Sequence, residues 1–369
     1  MNWHRKKVIV TGGAGFIGGA LVSRLLGLGS DVTVVDKIFA GTDSKTSALK
    51  MQRLNSIYES HGAEPKVAVL DLSTEAQRFE ILCRDSDVAF HLSAFFGGRE
   101  FVNTRQVDCA RMFAVDHNTI DACQKAGVPR FHYASSACVY PDSLQETPGH
   151  PLKEPDALST GEGWQSADNL YGWAKLMGEL QCKVYHDEKG MATSTCRYLT
   201  VYGPGEIDTS HAIPALIERA LDSTDPFEIW GSGRQERGFT YVDDIVDGSV
   251  RACEAIGDGT PVNLGTKSRY PIDKVAQMIF DITGFHPHKI VHDASKPEGP
   301  FSRSLDIARA RELLGWTPKV DLESGLRKTI MWHHEFRPRK GWSIKKSAGR
   351  TNRIKSGMAT KGGADRRLR

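Results

Sequence analysis

Val8-Ile9-Val10-Thr11-Gly12-Gly13-Ala14-Gly15-Phe16-Ile17-Gly18 is the stretch that decides the fold. Its β-branched apolar run reads as a buried strand, its glycines as a tight turn, and the segment Gly15–Leu28 as an amphipathic helix. Gly13, Gly15 and Gly18 satisfy G-x-G-x-x-G, and Gly12, Gly15 and Gly18 satisfy G-x-x-G-x-x-G. Glycines at such a turn let the backbone approach a pyrophosphate at the helix N-terminus, where free N–H groups and the helix dipole favour an anion. Alone, the motif is a weak signal. Here a second strand, Val32–Asp36, comes after the helix and ends in an acid. An acid at that place can hold both hydroxyls of an adenosine ribose, which favours NAD over NADP.

Working outward, apolar runs recur at Val67–Asp71, Val88–Leu92 and Phe131–Ser135, with helical patterns such as Val107–Ala126 between them. That alternation describes successive βαβ units. The runs are continuously apolar, as in strands covered on both faces. The fold class expected is therefore α/β: a Rossmann-type, doubly wound parallel sheet. After Arg197 the pattern loosens, with turn signals at Tyr202-Gly203-Pro204-Gly205 and Gly231-Ser232-Gly233. Helices are expected there at Ile213–Leu221, Ile272–Thr283 and Ile307–Leu314. The implied division is a dinucleotide-binding domain over residues 1–196, rejoined by 237–267. A smaller α/β substrate-binding lobe would comprise 197–236 and 268–335.

The 369 residues are 40% hydrophobic and 25% charged, the composition of a water-soluble globular protein. No apolar run approaches the roughly 20 residues of a membrane span. Val8, Ile9 and Val10 after the basic start are too few for a signal-peptide core. Seven cysteines with no C-x-x-C pair argue against a disulfide framework and a structural zinc site. The chain is read as cytoplasmic, with no metal. Residues 336–369 hold twelve Lys/Arg and one acid, so the remainder carries 36 basic against 44 acidic residues. The tail is expected to be disordered and solubilising rather than a nucleic-acid binder.

Tyr171 and Lys175 stand at i and i+4, on one face of a helix. A nearby cation favours phenolate, so such a tyrosine can remove a hydroxyl proton while hydride leaves the same carbon. A surface pair would look the same. The pairing gains weight from Ser135-Ser136-Ala137-Cys138-Val139-Tyr140, directly after a strand at the sheet edge where ligands bind.

Together these residues resemble the extended short-chain dehydrogenase/reductase family, in particular its nucleotide-sugar epimerases. The resemblance covers roughly residues 6–335 and includes His91-Leu92-Ser93-Ala94, Arg197-Tyr198-x-x-Val201-Tyr202-Gly203-Pro204, Trp230-Gly231-Ser232-Gly233 with Arg237, and Tyr241-Val242-Asp243-Asp244. It implies an NAD site lined by Gly12, Gly15, Phe16, Ile17, Gly18, Asp36, Asp71, Leu72, Leu92, Ser93, Ala94, Tyr171 and Lys175. Asp71 is equally readable as a helix cap. The resemblance further implies that Ser136 polarises the substrate oxygen, Tyr171 is the redox acid/base, and Lys175 holds the nicotinamide ribose. It places Gly97, Gly98, Ser136, Thr200, Trp230, Arg237 and Arg303 against the nucleotide-sugar. The family usually has Asn where Thr200 stands.

Phe96-Gly97-Gly98, Cys138 and Ser210-His211-Ala212-Ile213-Pro214 narrow the resemblance to the GDP-mannose 3,5-epimerase and GDP-fucose synthase branch. There, a cysteine matching Cys138 carries a proton in both enzymes, and a histidine matching His211 does so in GDP-fucose synthase, where GDP-mannose 3,5-epimerase has a lysine; a ketone at C4 acidifies C3 and C5, and inversion needs a base and an acid on opposite ring faces. Read from the residues alone, Cys138 could be a small buried hydrophobe and His211 a residue at a helix start. The expected function is an NAD-dependent epimerase acting at C3 and/or C5 of a GDP-sugar. The alternative is a 4-epimerase or 4-ketoreductase using only Ser136, Tyr171 and Lys175. A homodimer through helices near 105–126 and 168–188 is also implied.

Overall fold

The computed structural model describes residues 1–37, 44–146, 148–158 and 167–336. The basic tail lies outside the described residues, apart from Phe336.

Lys7–Thr11 (β1), Asp31–Asp36 (β2), Val67–Val69 (β3), Val88–His91 (β4), Arg130–Ser136 (β5) and Ala192–Tyr198 (β6) alternate with helices. The helices are Phe16–Gly27 (α1), Ser44–Ser60 (α2), Ala76–Cys83 (α3), Arg99–Thr104 (α4), Gln106–Lys125 (α5) and Asn169–Lys189 (α6). With a later strand, Asp258–Leu264 (β11), these strands form one seven-stranded sheet in the order β11-β6-β5-β4-β1-β2-β3. Every pairing in it is parallel. The order reverses between β1 and β4, so their carboxyl ends open the crevice where ligands of such sheets lie. Burial runs on both faces account for the continuous apolar strands: Val8, Val10, Val32, Val34 and Phe90 pack on one side, and Ile9, Val35, Ala89 and Phe131 on the other.

Beyond β6 the strands are short. Val201–Tyr202 (β7) pairs with Thr240–Tyr241 (β10), and Phe227–Trp230 (β8) pairs with Ile290–Asp293 (β13). Glu236–Arg237 (β9) lies between Tyr270–Pro271 (β12) and Ser302–Arg303 (β14). The helices Ala212–Leu221 (α7), Ile272–Thr283 (α9) and Leu322–Phe336 (α11) share a separate core built on Ile217, Phe227, Ile279 and Leu326. Val242–Ala255 (α8) and Ala308–Leu314 (α10) pack instead on the sheet, α8 through Val246 and Ile245 and α10 through Ala310 and Leu314. The sequence pattern assigns residues 308–314 to the second lobe, but Ala310 and Leu314 face Val262 and Trp316 beside β11. Met1–Glu335 is one compact unit. Among the described residues no helix is long and apolar enough to cross a membrane.

Candidate active site

The glycine loop leaves β1 and is closed on itself. Gly12 has φ +69°, and a Cβ there would stand 2.8 Å from the Ser93 nitrogen. A Cβ on Gly18 would meet the Gly12 oxygen at 2.1 Å. Both positions therefore require glycine. Gly15 precedes α1 in an extended conformation with no side-chain cap, so the first N–H groups of the helix, from Phe16 and Ile17 on, are free for an anion. Asp36 ends β2, almost buried, its carboxylate accepting from the Ala14 N–H at 3.2 Å and lying 3.6 Å from Lys50. Burial pushes its pKa up, against the pull of Lys50.

Leu92, Ser93 and Ala94 come after β4 beside this loop, with the Ser93 N–H on the Thr11 hydroxyl at 3.3 Å. Asp71 turns its carboxylate on its own chain: Oδ1 accepts from the Ser73 N–H at 2.9 Å and from its hydroxyl at 2.6 Å. This is a turn within its own loop and not a helix cap, since the residue before α3 is Glu75, and Asn118 holds the Leu72 carbonyl at 2.9 Å. A buried chain of hydrogen bonds runs beneath the crevice, from Thr11 to His91 (2.7 Å), His91 to Asp116 (2.9 Å) and Tyr133 to Asp116 (2.7 Å). The Lys175 ammonium lies 4.9 Å over the Tyr133 ring and donates to the Ala134 carbonyl at 2.9 Å. Burial lowers its pKa, and Asp116 opposes that effect.

Ser136 ends β5 and caps the 3₁₀ turn Ala137–Val139, accepting from the Cys138 N–H at 3.1 Å. The Tyr171 phenol from α6 lies beside the Ser136 hydroxyl, and Cys138 is close enough to act on that phenol electrostatically. Burial pushes Tyr171 well up, with Cys138 adding to the effect. Arg303 donates from Nη1 to the Cys138 sulfur at 3.4 Å, from Nη2 to Asp168 at 3.0 Å, and from Nε to Gln145. Burial raises the Cys138 thiol and the Arg303 cation works against it. Ser136, Cys138, Tyr171 and Arg303 therefore share one place. Arg303, expected on a diphosphate, has each of its three nitrogens bonded within the protein.

The β9–β14 register sets Arg237 opposite Arg303, two cations side by side. Arg237 donates to the Glu298 carbonyl at 2.7 Å. Burial lowers its pKa to about 9, helped by Arg303 and Arg99. Arg99 Nη1 lies 2.7 and 2.6 Å from the two Asp168 oxygens. Three guanidiniums balanced by Asp142 and Asp168 make a strongly anion-seeking surface. Trp230 lies near it in sequence, with Lys296 5.1 Å over its ring. Thr200 is exposed and holds φ +28°, a conformation that disfavours β-branched residues and suits Asn.

His211 sits at the N-cap of α7. Its Nδ1 meets Glu206 Oε1 at 2.5 Å, and Phe96 stacks on its ring at 6.3 Å and 14°. The Gly98 N–H donates to the Ser210 hydroxyl at 2.7 Å, and a Cβ on Gly98 would stand 1.9 Å from the Ser210 oxygen. One loop, Gly97–Arg99, thus touches both the His211 segment and, through Arg99–Asp168, the start of the Tyr171 helix. Sequence reading misses Arg99, Asp168 and Glu206. Arg99 has one available signal, its place directly after the Gly97-Gly98 pair.

The model of the NAD dependent epimerase/dehydratase family matches residues 8–265. The chain belongs to the NAD-dependent epimerase/dehydratase family. Within the family, it is 35% identical over 256 residues to GDP-mannose 3,5-epimerase of Arabidopsis thaliana. That match covers 68% of this chain and spans just under two thirds, 65%, of the relative's length. A probable GDP-L-fucose synthase 1 of Oryza sativa subsp. japonica is 26% identical, covering 89% of this chain and 92% of that one. Among solved structures, UDP-glucuronic acid 4-epimerase from Bacillus cereus, in complex with UDP-glucuronic acid and NAD, superposes with TM-score 0.76. It is 28% identical, with 89% of this chain and 99% of that one covered. The cofactor of this epimerase/dehydratase is NAD, and the loop fits it: two glycines leave no room for a Cβ, an uncapped helix start faces the crevice, and Asp36 closes β2.

Proposed function

We propose that this enzyme epimerises a GDP-activated hexose at C3 and/or C5, through a transient ketone at C4. The observation that carries the reading is Cys138. Its thiol stands beside the Ser136–Tyr171 pair and against the Arg303 guanidinium, within reach of a sugar oxidised at that pair. NAD, when bound, supplies the hydride acceptor at C4 and returns the hydride at the end. Tyr171 takes the C4 hydroxyl proton, Ser136 hydrogen-bonds the same oxygen, and Lys175 would hold the nicotinamide ribose. Once C4 is a ketone, the C3 and C5 protons become acidic. Cys138, as thiolate paired with Arg303, removes one, and His211 delivers a proton to the other ring face. Arg237 and Arg99, with Gly97, Gly98, Thr200 and Trp230, border the space for the sugar and its diphosphate. The 35%-identical relative's name, GDP-mannose 3,5-epimerase, supports the same choice.

A second reading is a 4-epimerase or 4-ketoreductase using Ser136, Tyr171 and Lys175 alone. The superposition on UDP-glucuronic acid 4-epimerase favours it. The deciding experiment incubates the protein with GDP-mannose in deuterated water, beside a panel of UDP- and GDP-sugars, and tracks the sugar by proton NMR and mass spectrometry. Deuterium at C3 or C5, abolished in Cys138→Ala and in His211→Ala, is expected. Turnover without deuterium uptake establishes the second reading. The same reading has the enzyme working in the cytoplasm, as its seven cysteines without a C-x-x-C pair suggest, and as a homodimer through α5 and α6.

A further inference from the structure

Glu206 is a carboxylate 4% exposed that no step above uses. Burying a charge at that depth is costly unless it is paired, and its Oε1 lies 2.5 Å from His211 Nδ1. The imidazole is also held from its face, where Phe96 stacks on it. The turn that carries Glu206 is itself anchored. Gly205 has φ +96°, and its carbonyl accepts from Arg53 Nη2, while Arg53 Nη1 reaches the Ala14 carbonyl of the glycine loop at 3.4 Å. The Glu206 backbone N–H bonds the Gly203 carbonyl at 3.4 Å.

We propose that Glu206 is the positioning residue of His211, fixing the ring through Nδ1 so that His211 serves as the proton donor opposite Cys138. The proposal rests on the reading that His211 exchanges a proton with the sugar. Hydrogen-bonding Nδ1–H to Glu206 leaves Nε2–H as the bond that breaks when a C–H bond forms on the enolate carbon. The proton taken by Cys138 from the other face balances the step. The charged groups around the pair are Asp208 on the same segment, Arg53 from α2, Glu218 from α7 and His333 from α11, the last two bonded to each other at 2.7 Å. Burial disfavours the imidazolium, and Glu206, helped by Asp208, works against it, so the pKa of His211 stands above its ordinary value. A carboxylate holding the far nitrogen of a working histidine is a recurrent arrangement for setting tautomer and charge.

The test uses the full chain with labelled histidine, the His211 signal being assigned by its absence in His211→Gln. In Glu206→Gln the His211 titration should move down by about one pH unit or more. Deuterium uptake from GDP-mannose should fall about tenfold or more, and Glu206→Asp should recover part of it. An unmoved titration overturns the proposal, as does a moved titration with undiminished uptake in a chain whose uptake His211→Ala abolishes. Should His211→Ala itself leave uptake intact, the failure belongs to the assignment of His211 as a proton carrier. The titration still decides whether Glu206 sets its charge.

Discussion

At the scale of single residues, Cys138 shows how opposing effects set a reactivity. Burial lifts the thiol above its usual pKa, and the Arg303 cation at 3.4 Å pulls it back. A base must be deprotonated to work, so deuterium uptake should rise with pH through the ionisation of this thiol. Replacing Arg303 with Met removes the cation and should move that rising limb to higher pH, by about one unit. Iodoacetamide alkylation of Cys138 measured against pH gives the same limb without substrate. A limb that stays in place would show that Arg303 serves only to pack. The residues legible in the sequence at this scale are those whose signal is local. Gly12, Gly15 and Gly18 fall within one short stretch from the loop into the first turn of α1, and Tyr171 and Lys175 are one helical turn apart. Arg99 and Asp168 escape because they meet across 69 residues. The busy state of Arg303 is equally hidden, since its partners Cys138 and Gln145 lie 165 and 158 positions away.

At the scale of elements, two junctions carry the site. The first is the contact of the Gly97–Arg99 loop with the start of α7. A Cβ on Gly98 would fall 1.9 Å from the Ser210 backbone oxygen, and backbone cannot swing aside as a side chain can. Gly98→Ala should therefore displace the segment that presents His211. The expected outcome is a loss of at least about tenfold in deuterium uptake, since misplacement by about 1 Å can cost 10²-fold. NAD affinity, measured by calorimetry, should stay unchanged because the glycine loop lies elsewhere. The second junction is β6 against α6. Arg197, 2% exposed, forks onto both oxygens of Glu179 at 2.9 and 2.7 Å, and also donates to Tyr140 and to the Glu154 carbonyl. Arg197→Met would leave the Glu179 charge buried without its partner, which costs about 3–5 kcal/mol. A drop of that order in urea unfolding is the measurement. Strands and helices are legible because their apolar periods are local. The placing of α10 on the sheet is not, since a helix's apolar stripe says that it packs but not on what.

At the scale of the whole molecule, α6 presents two apolar faces where a helix on a monomer's surface needs one. Its inner stripe, Ala174, Gly178 and Cys182, is buried toward the sheet. The opposite side carries Met177, Leu180 and Val184, 40%, 45% and 47% exposed, and their spacing sets them in one line along the helix. Val107 on the adjoining α5 is 78% exposed. A line of exposed apolar side chains along a helix marks an interaction site, and two helices from each of two copies would form a compact, self-complementary contact. Stable interfaces bury about 800 Å² per partner, within reach of two helices of 20 and 21 residues. The double change Leu180→Glu and Val184→Glu puts four carboxylates into such a contact. It should convert a dimer into a monomer in light scattering, at unchanged helix content. The active-site crevice opens at the carboxyl ends of β1 and β4, away from this stripe, so the monomer should still bind NAD. A chain that is already monomeric before the change would leave the exposed line on α6 as surface for a different protein.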